Sequence, residues 1–292
     1  MAGAGSAGCL QERLAVLKER LRGWSKYRDS DDFLTQASIT LESLTELLEE
    51  PIENSTLPRF VQLYTQAVLD ITYFEENQLV DEEFPEESSL WKVEDIIRAL
   101  SEPEVLVNES SASQEPFTLL STELLECLYW RRGALLYMFC HTLKGRKEWL
   151  TKKVDLLKKF LHEGIHYLVK MLEFRCPDTP NEEFESRDAA TARLVHEGIF
   201  SDTHLLAMMY CGEMCYWGLK YCAKEKEQTQ STESELTSNL PSGSHIKVLD
   251  FRETGEKMLQ KYISVCEGPL RLHDWDTKNA KLILDYFKQL TT

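Results

Sequence analysis

Three groups of side chains in this 292-residue sequence carry ligating or charged atoms at helical spacings. The first is His162-Glu163-Gly164-Ile165-His166, which fits His-Glu-x-x-His. On a helix, residues four apart share a face, so two imidazoles can hold one zinc ion while the glutamate activates its water. A zinc-dependent hydrolase using His162, Glu163 and His166 is therefore one reading. The helical wheel opposes it. Leu150, Val154, Leu157, Leu161, Ile165, Leu168 and Leu172 fall within roughly 40° of one line. His162 and His166 lie about 100–140° away from that line, on the flank of Asp155, Lys159, Lys170 and Glu173. Val169 and Leu172 stand where a longer metzincin signature has Gly and His. Glu182 and Glu183 are loose candidates for a third ligand, with Pro177 and Pro180 intervening.

The second group is His204, Cys211, Cys215 and Cys222, also on one helical face. Its length of about 27 Å is far beyond the roughly 2.3 Å reach of a zinc–sulfur bond. These cysteines read as packing residues. The third group is cationic. Arg131 and Arg132 follow Trp130 inside an apolar run. They either pair with a core carboxylate such as Glu126, snorkel to the edge, or contact a partner. Lys144, Arg146, Lys147, Lys152 and Lys153 surround Trp149. They either touch anionic lipid or flank a buried helix start. No glycine-rich phosphate loop and no Gly-x-Ser-x-Gly elbow occurs, so no cofactor is expected.

The elements that would place these residues read as one helix after another. Leucines 10, 14, 17 and 21 recur at helical spacing, and Phe33, Ala37, Leu41, Leu44 and Leu48 do so after a Ser30-Asp31-Asp32 cap. Pro51 stops that helix and Pro58 opens a third. Val93, Ile96, Ile97 and Leu100 mark a fourth, ended by Pro103. Residues 119–143 form a long, mostly apolar helix or a helix pair punctuated at Gly133, and residues 148–174 the clearest amphipathic one. Residues 198–222 are apolar almost all round, yet Asp202, His204, Glu213 and Lys220 disqualify them as a membrane span. Two further helices cover 251–266 and 277–290. With 13 Gly and 9 Pro, turns are too scarce for an all-β fold. The expected fold is all-α: a multi-helix bundle or irregular solenoid in one domain, 9–292, around the central apolar helix. Residues 1–8 are expected to be flexible and 225–244 to form a disordered loop.

The 33 Lys and Arg are outnumbered by 49 Asp and Glu, for a net charge of −16. That balance argues against a nucleic-acid partner. The charge is uneven. Residues 70–104 hold twelve acidic and two basic side chains; residues 131–159 hold nine basic and two acidic. Opposed arms of this kind suit steering of partners, and they are candidate surfaces for two of them. The N-terminus lacks a secretory signal pattern, and eight scattered cysteines suit a reducing cytosol.

Several longer runs carry a family resemblance. They are LYTQAVLDITYFEEN at 63–77 with LVDEEFP at 79–85, LLECLYWRRGALLYM at 124–138, GIFSDTHLLAMMY at 198–210 with GEMCYW at 212–217, and VCEGPL at 265–270 with Asn279-Ala280. From about residue 33 to 287 the chain resembles the vertebrate Rab-interacting subunit of the Mon–Ccz complex. The resemblance implies a non-catalytic adaptor without cofactor. Its expected partners are the late-endosomal Rab-seven GTPase and the Mon–Ccz exchange factor. It implies a cytosolic protein recruited to damaged mitochondria, acting in mitophagy, and attached to membranes peripherally if at all. It supplies no contact residues. The candidate partner contacts named residue by residue lie in the basic arm: Arg131, Arg132, Lys144, Arg146, Lys147, Lys152 and Lys153.

Overall fold

The structure, a computed structural model, describes residues 3–49, 56–110, 119–174, 189–222 and 249–290. The loop expected at 225–244 and the loose ligands Glu182 and Glu183 lie outside them. Among the described residues every regular element is helical, in keeping with the helical spacing of the apolar side chains. The helices are α1 (Gly3–Gly23), α2 (Asp32–Leu47), α3 (Leu57–Asp81), α4 (Ser89–Ser110), α5 (Thr122–Gly145), α6 (Lys147–Lys152), α7 (Val154–Glu173), α8 (Ala189–His196), α9 (Asp202–Cys222), α10 (Phe251–Glu267) and α11 (Lys278–Gln289). They form two compact units, Met1–Leu135 and Leu136–Thr292, and α5 contributes to both.

In the first unit α1 begins at Gly3, so its backbone already includes residues expected to precede the helix. It buries Leu10, Leu14, Leu17 and Leu21, a stripe worth roughly 1.5–3 kcal/mol per leucine. The Asp31 carboxylate caps α2 by accepting from the Leu34 N–H at 2.9 Å, which satisfies a donor the helix start leaves open. Pro58 opens α3 as expected. Phe60, Tyr64, Val68 and Ile71 bury its inner face, and α3 packs against α1, α2 and α4. Pro103 does not end α4, which runs on to Ser110. Leu106 and Val107 continue the buried stripe of Val93, Ile96 and Leu100. That burial outweighs the hydrogen bond the proline ring removes.

In the second unit α9 packs against α7, α10 and α11 and buries Leu205, Met208, Cys211, Met214, Cys215 and Trp217. The expectation put this helix at the centre of the whole chain; in the first unit the corresponding place belongs to α3. Backbones approach closely at Gly255. A Cβ there would stand 2.7 Å from the Phe287 ring and 2.8 Å from the Cys215 Cβ, so α10 reaches α9 and α11 only without a side chain. The single amphipathic helix expected over 148–174 is two, broken at Lys153, whose φ of −137° and ψ of 35° leave the helical region. The break lets Trp149 turn inward, edge-on to Phe139 at 6.3 Å. The long helix α5, in contrast, passes Gly133 without interruption.

Candidate interaction surface

The two arginines of α5 are not on the surface. Arg131 is 8% exposed and Arg132 3%, so neither is placed to meet a partner as the sequence allowed. Each is committed to a carboxylate of its own unit. The Arg131 Nε donates to Glu76 Oε2 at 2.9 Å, and its Nη1 donates to the Leu69 carbonyl at 3.2 Å. Glu76 Oε1 lies 2.9 Å from Nη2 but off the N–H direction, so that contact is ionic without a hydrogen bond. Arg132 Nη2 pairs with Glu104. Its Nη1 donates to Ser101 Oγ at 3.3 Å, and its guanidinium lies 4.1 Å from the Tyr129 ring. Glu76 on α3 and Glu104 on α4 are thus the carboxylates these ion pairs use.

Residues 70–104 are largely spoken for by the same kind of pairing. Arg20 of α1 chelates Glu75 and reaches Asp95 at 2.9 Å, while Trp24 Nε1 donates to Glu75 at 3.0 Å. Arg13 holds Glu102 and, at 2.6 Å, Glu109. Asp70 is buried, with one oxygen accepting from Gln66 at 2.8 Å and the other without a hydrogen bond. Burial raises its carboxyl pKa, against the pull of Gln66 and Arg131. Burial likewise raises that of Glu76 despite Arg131. What remains exposed is the turn between α3 and α4, with Asp81, Glu82, Glu83, Glu86 and Glu87.

Five of the seven cations expected at a partner surface stay near solvent. Lys147, Lys152 and Lys153 are exposed on α6 and at its end; Lys144 and Arg146 are half-buried. The Lys144 ammonium lies 4.6 Å from the Trp217 ring, and burial lowers its pKa. Lys153 lies 4.2 Å from the Trp149 ring. Lys152 reaches Glu148 only at 3.6 Å. Lys158 and Lys159, also exposed, extend this basic edge onto α7.

The two other groups of ligating side chains take ordinary structural roles. His162 is half-buried against the Phe251 ring at 4.5 Å, and its pKa is lowered by burial and by Lys158. His166 is exposed. Both line a cavity of about 650 Å³ between α7 and α10 with Asp250 and Glu253. Among the described residues no three His, Cys, Asp or Glu side chains are placed to hold one metal ion. His204, Cys211, Cys215 and Cys222 are all buried, and burial holds the Cys215 thiol well above its ordinary pKa. Sequence reasoning missed the clasp made by Arg13 and Arg20, and it missed Trp91, 59% exposed at the start of α4. The signal for Trp91 was its offset from Val93: two residues on a helix lie on opposite sides.

No helix of the described residues is long and apolar enough to cross a membrane. The described residues define an all-α protein that presents a basic helical edge and an acidic turn to solvent. The chain belongs to the family described as RAB7A-interacting MON1-CCZ1 complex subunit 1, which matches residues 33–288. A human relative of that name is 54% identical over 259 residues, 89% of this chain and 88% of its own length. A mouse relative is 52% identical over 261 residues, 89% of this chain and 88% of its own. A zebrafish (Danio rerio) relative is 45% identical over 275 residues, covering 94% and 95%. No solved structure matches.

Proposed function

We propose that this chain is a non-catalytic subunit that binds RAB7A and the MON1-CCZ1 complex, as the relatives' name states for them. The observation that carries this reading is 54% identity to the human relative over 89% of the chain, a span that includes both units. Such a protein acts by mass action: it stabilises whatever it binds by RT ln(1 + [L]/Kd), about 2.7 kcal/mol at a hundredfold excess over Kd. That needs surfaces and no reacting group. The basic edge of Lys147, Lys152 and Lys153 is one such surface. A role in mitophagy and late-endosomal traffic, a cytosolic location and recruitment to damaged mitochondria belong to the same proposal through the family resemblance. A lipid role for the basic edge has less support, because Trp149 is buried at 5% exposure and offers no aromatic anchor to a bilayer.

The test is direct binding of the purified chain to RAB7A, in GDP and GTP forms, and to the MON1-CCZ1 complex. Both should bind. Changing Lys152 and Lys153 to Glu should slow association of one partner at low salt and leave the other unchanged, since exposed charges mainly tune on-rates. Failure of either partner to bind the unmodified chain would refute the reading.

A further inference from the structure

Just past the turn between α3 and α4, the start of α4 holds a tryptophan out toward solvent. Trp91 is 59% exposed, whereas Trp149 and Trp217 are 5% and 4% exposed. Val80, on the last turn of α3, is 40% exposed. Between them stand Asp81, Glu82, Glu83, Glu86 and Glu87, all exposed. The turn is fixed from below. Phe84 is buried at 3%, and its N–H donates to the Leu79 carbonyl at 2.9 Å, while that of Glu83 donates to Val80 at 2.9 Å. Both residues hold positive φ, 53° at Phe84 and 51° at Glu83, a conformation uncommon for a bulky side chain and kept only where the surroundings fix it. The Ser89 N–H closes the start of α4 on the Pro85 carbonyl at 3.0 Å, and Lys92 ties it to Glu82 at 3.2 Å.

We infer that Trp91 and this acidic turn form a docking surface for a basic face of a protein partner. The inference rests on the reading above that the chain binds RAB7A and the MON1-CCZ1 complex, and it assigns one of those contacts. Charge selects the class of occupant. Over residues 80–92 there are five carboxylates and one ammonium, Lys92, so phosphate-bearing nucleic acid and anionic bilayers are repelled. A protein face rich in Arg and Lys is attracted. The indole supplies what charge alone lacks. A cation seated over its face gains a cation–π contact, and tryptophan and arginine are among the residues enriched at interface hot spots. The chain already uses this geometry internally: Arg132 lies 4.1 Å from the Tyr129 ring while pairing with Glu104. A partner arginine over Trp91 would meet the carboxylates of the turn in the same way. Because the turn is held by Phe84, little ordering is needed on binding.

The experiment measures association and dissociation of the full chain with RAB7A and with the MON1-CCZ1 complex at low and high salt. Two variants are compared, Trp91→Ala and Asp81→Lys with Glu87→Lys. All three positions are exposed, so helicity and melting temperature should not change. Trp91→Ala should weaken one partner about tenfold or more through faster dissociation, with Trp91→Tyr retaining most of the affinity. The double reversal should slow association of that same partner at low salt, a difference that closes at high salt. If both variants bind both partners as the unmodified chain does, the docking surface is overturned and the functional reading stands. If the unmodified chain binds neither partner, both fall. A concentration-dependent dimer of the chain that Trp91→Ala dissolves would give the surface to a second copy and overturn the assignment to a separate partner.

Discussion

Replacing Arg131 with Met keeps an unbranched apolar stem and removes the guanidinium and its charge. Glu76, 6% exposed, then loses the 2.9 Å hydrogen bond to Oε2 and the ionic contact to Oε1. The Leu69 carbonyl loses one donor and keeps the Thr72 hydroxyl at 3.3 Å. An exposed pair treated this way costs about 0–1 kcal/mol. Breaking a buried one costs about 3–5 kcal/mol, because a desolvated charge is left uncompensated. The burial of both partners places this pair in the second class. For a unit the size of Met1–Leu135, that loss lowers the melting temperature by roughly 10–20 °C. The assay is urea unfolding followed by far-UV circular dichroism, with calorimetry for the melting temperature. Adding Glu76→Leu to Arg131→Met removes the stranded carboxylate and should recover part of the loss. A single-variant loss below about 1 kcal/mol, or a double variant worse than the sum of the singles, would refute the reasoning.

Asp70 and Glu76 give a pH dependence of known sign. Burial raises both folded-state pKa values above those of the unfolded chain, so between the two values the folded state holds more protons. Their contribution to stability is full below the unfolded pKa and is lost as pH rises through the folded one. Acidifying from about pH 7 to about pH 5 should therefore stabilise the first unit through these groups, and Asp70→Asn should flatten that gain in unfolding titrations at several pH values. In the second unit, Trp217 is 4% exposed and stacks 5.2 Å from Tyr137. Trp217→Ala should cost about 3–5 kcal/mol of unfolding free energy, and a loss under about 1 kcal/mol would mean that α9 does not carry the core of this unit.

The helices were legible wherever one face repeats, as with leucines 10, 14, 17 and 21 or the stripe of α7. Boundaries failed where burial overrode a local signal. Pro103 sits inside α4 because Leu106 and Val107 extend the buried face beyond it, and the amphipathic helix breaks at Lys153, where α6 turns Trp149 toward Phe139. The charged arms were legible as composition but not as surface. Arg131 and Arg132 find carboxylates 55 and 28 positions away in sequence, a pairing that helical spacing cannot reveal. The exposed basic edge survived because Lys147, Lys152 and Lys153 flank a tryptophan whose burial leaves their ammonium groups outside.

Arg131 and Arg132 are neighbours on one helix and lie about 100° apart around its axis, yet one answers α3 and the other α4. Rotating α5 by a single residue would bring Arg132 to Glu76 and leave Glu104 facing Gly133, or bring Arg131 to Glu104 and leave Glu76 facing Trp130. Sliding it by a turn would strand both. Leucines at the same places would tolerate either shift, because hydrophobic contacts are indifferent to which neighbour supplies them. The two ion pairs thus act as a key for rotational register, contributing less to how tightly α5 is held than to the exclusion of near-miss packings. The double variant Arg131→Met, Glu76→Leu should accordingly keep much of its stability while showing broadened amide resonances along α5, the mark of a helix that samples more than one seat.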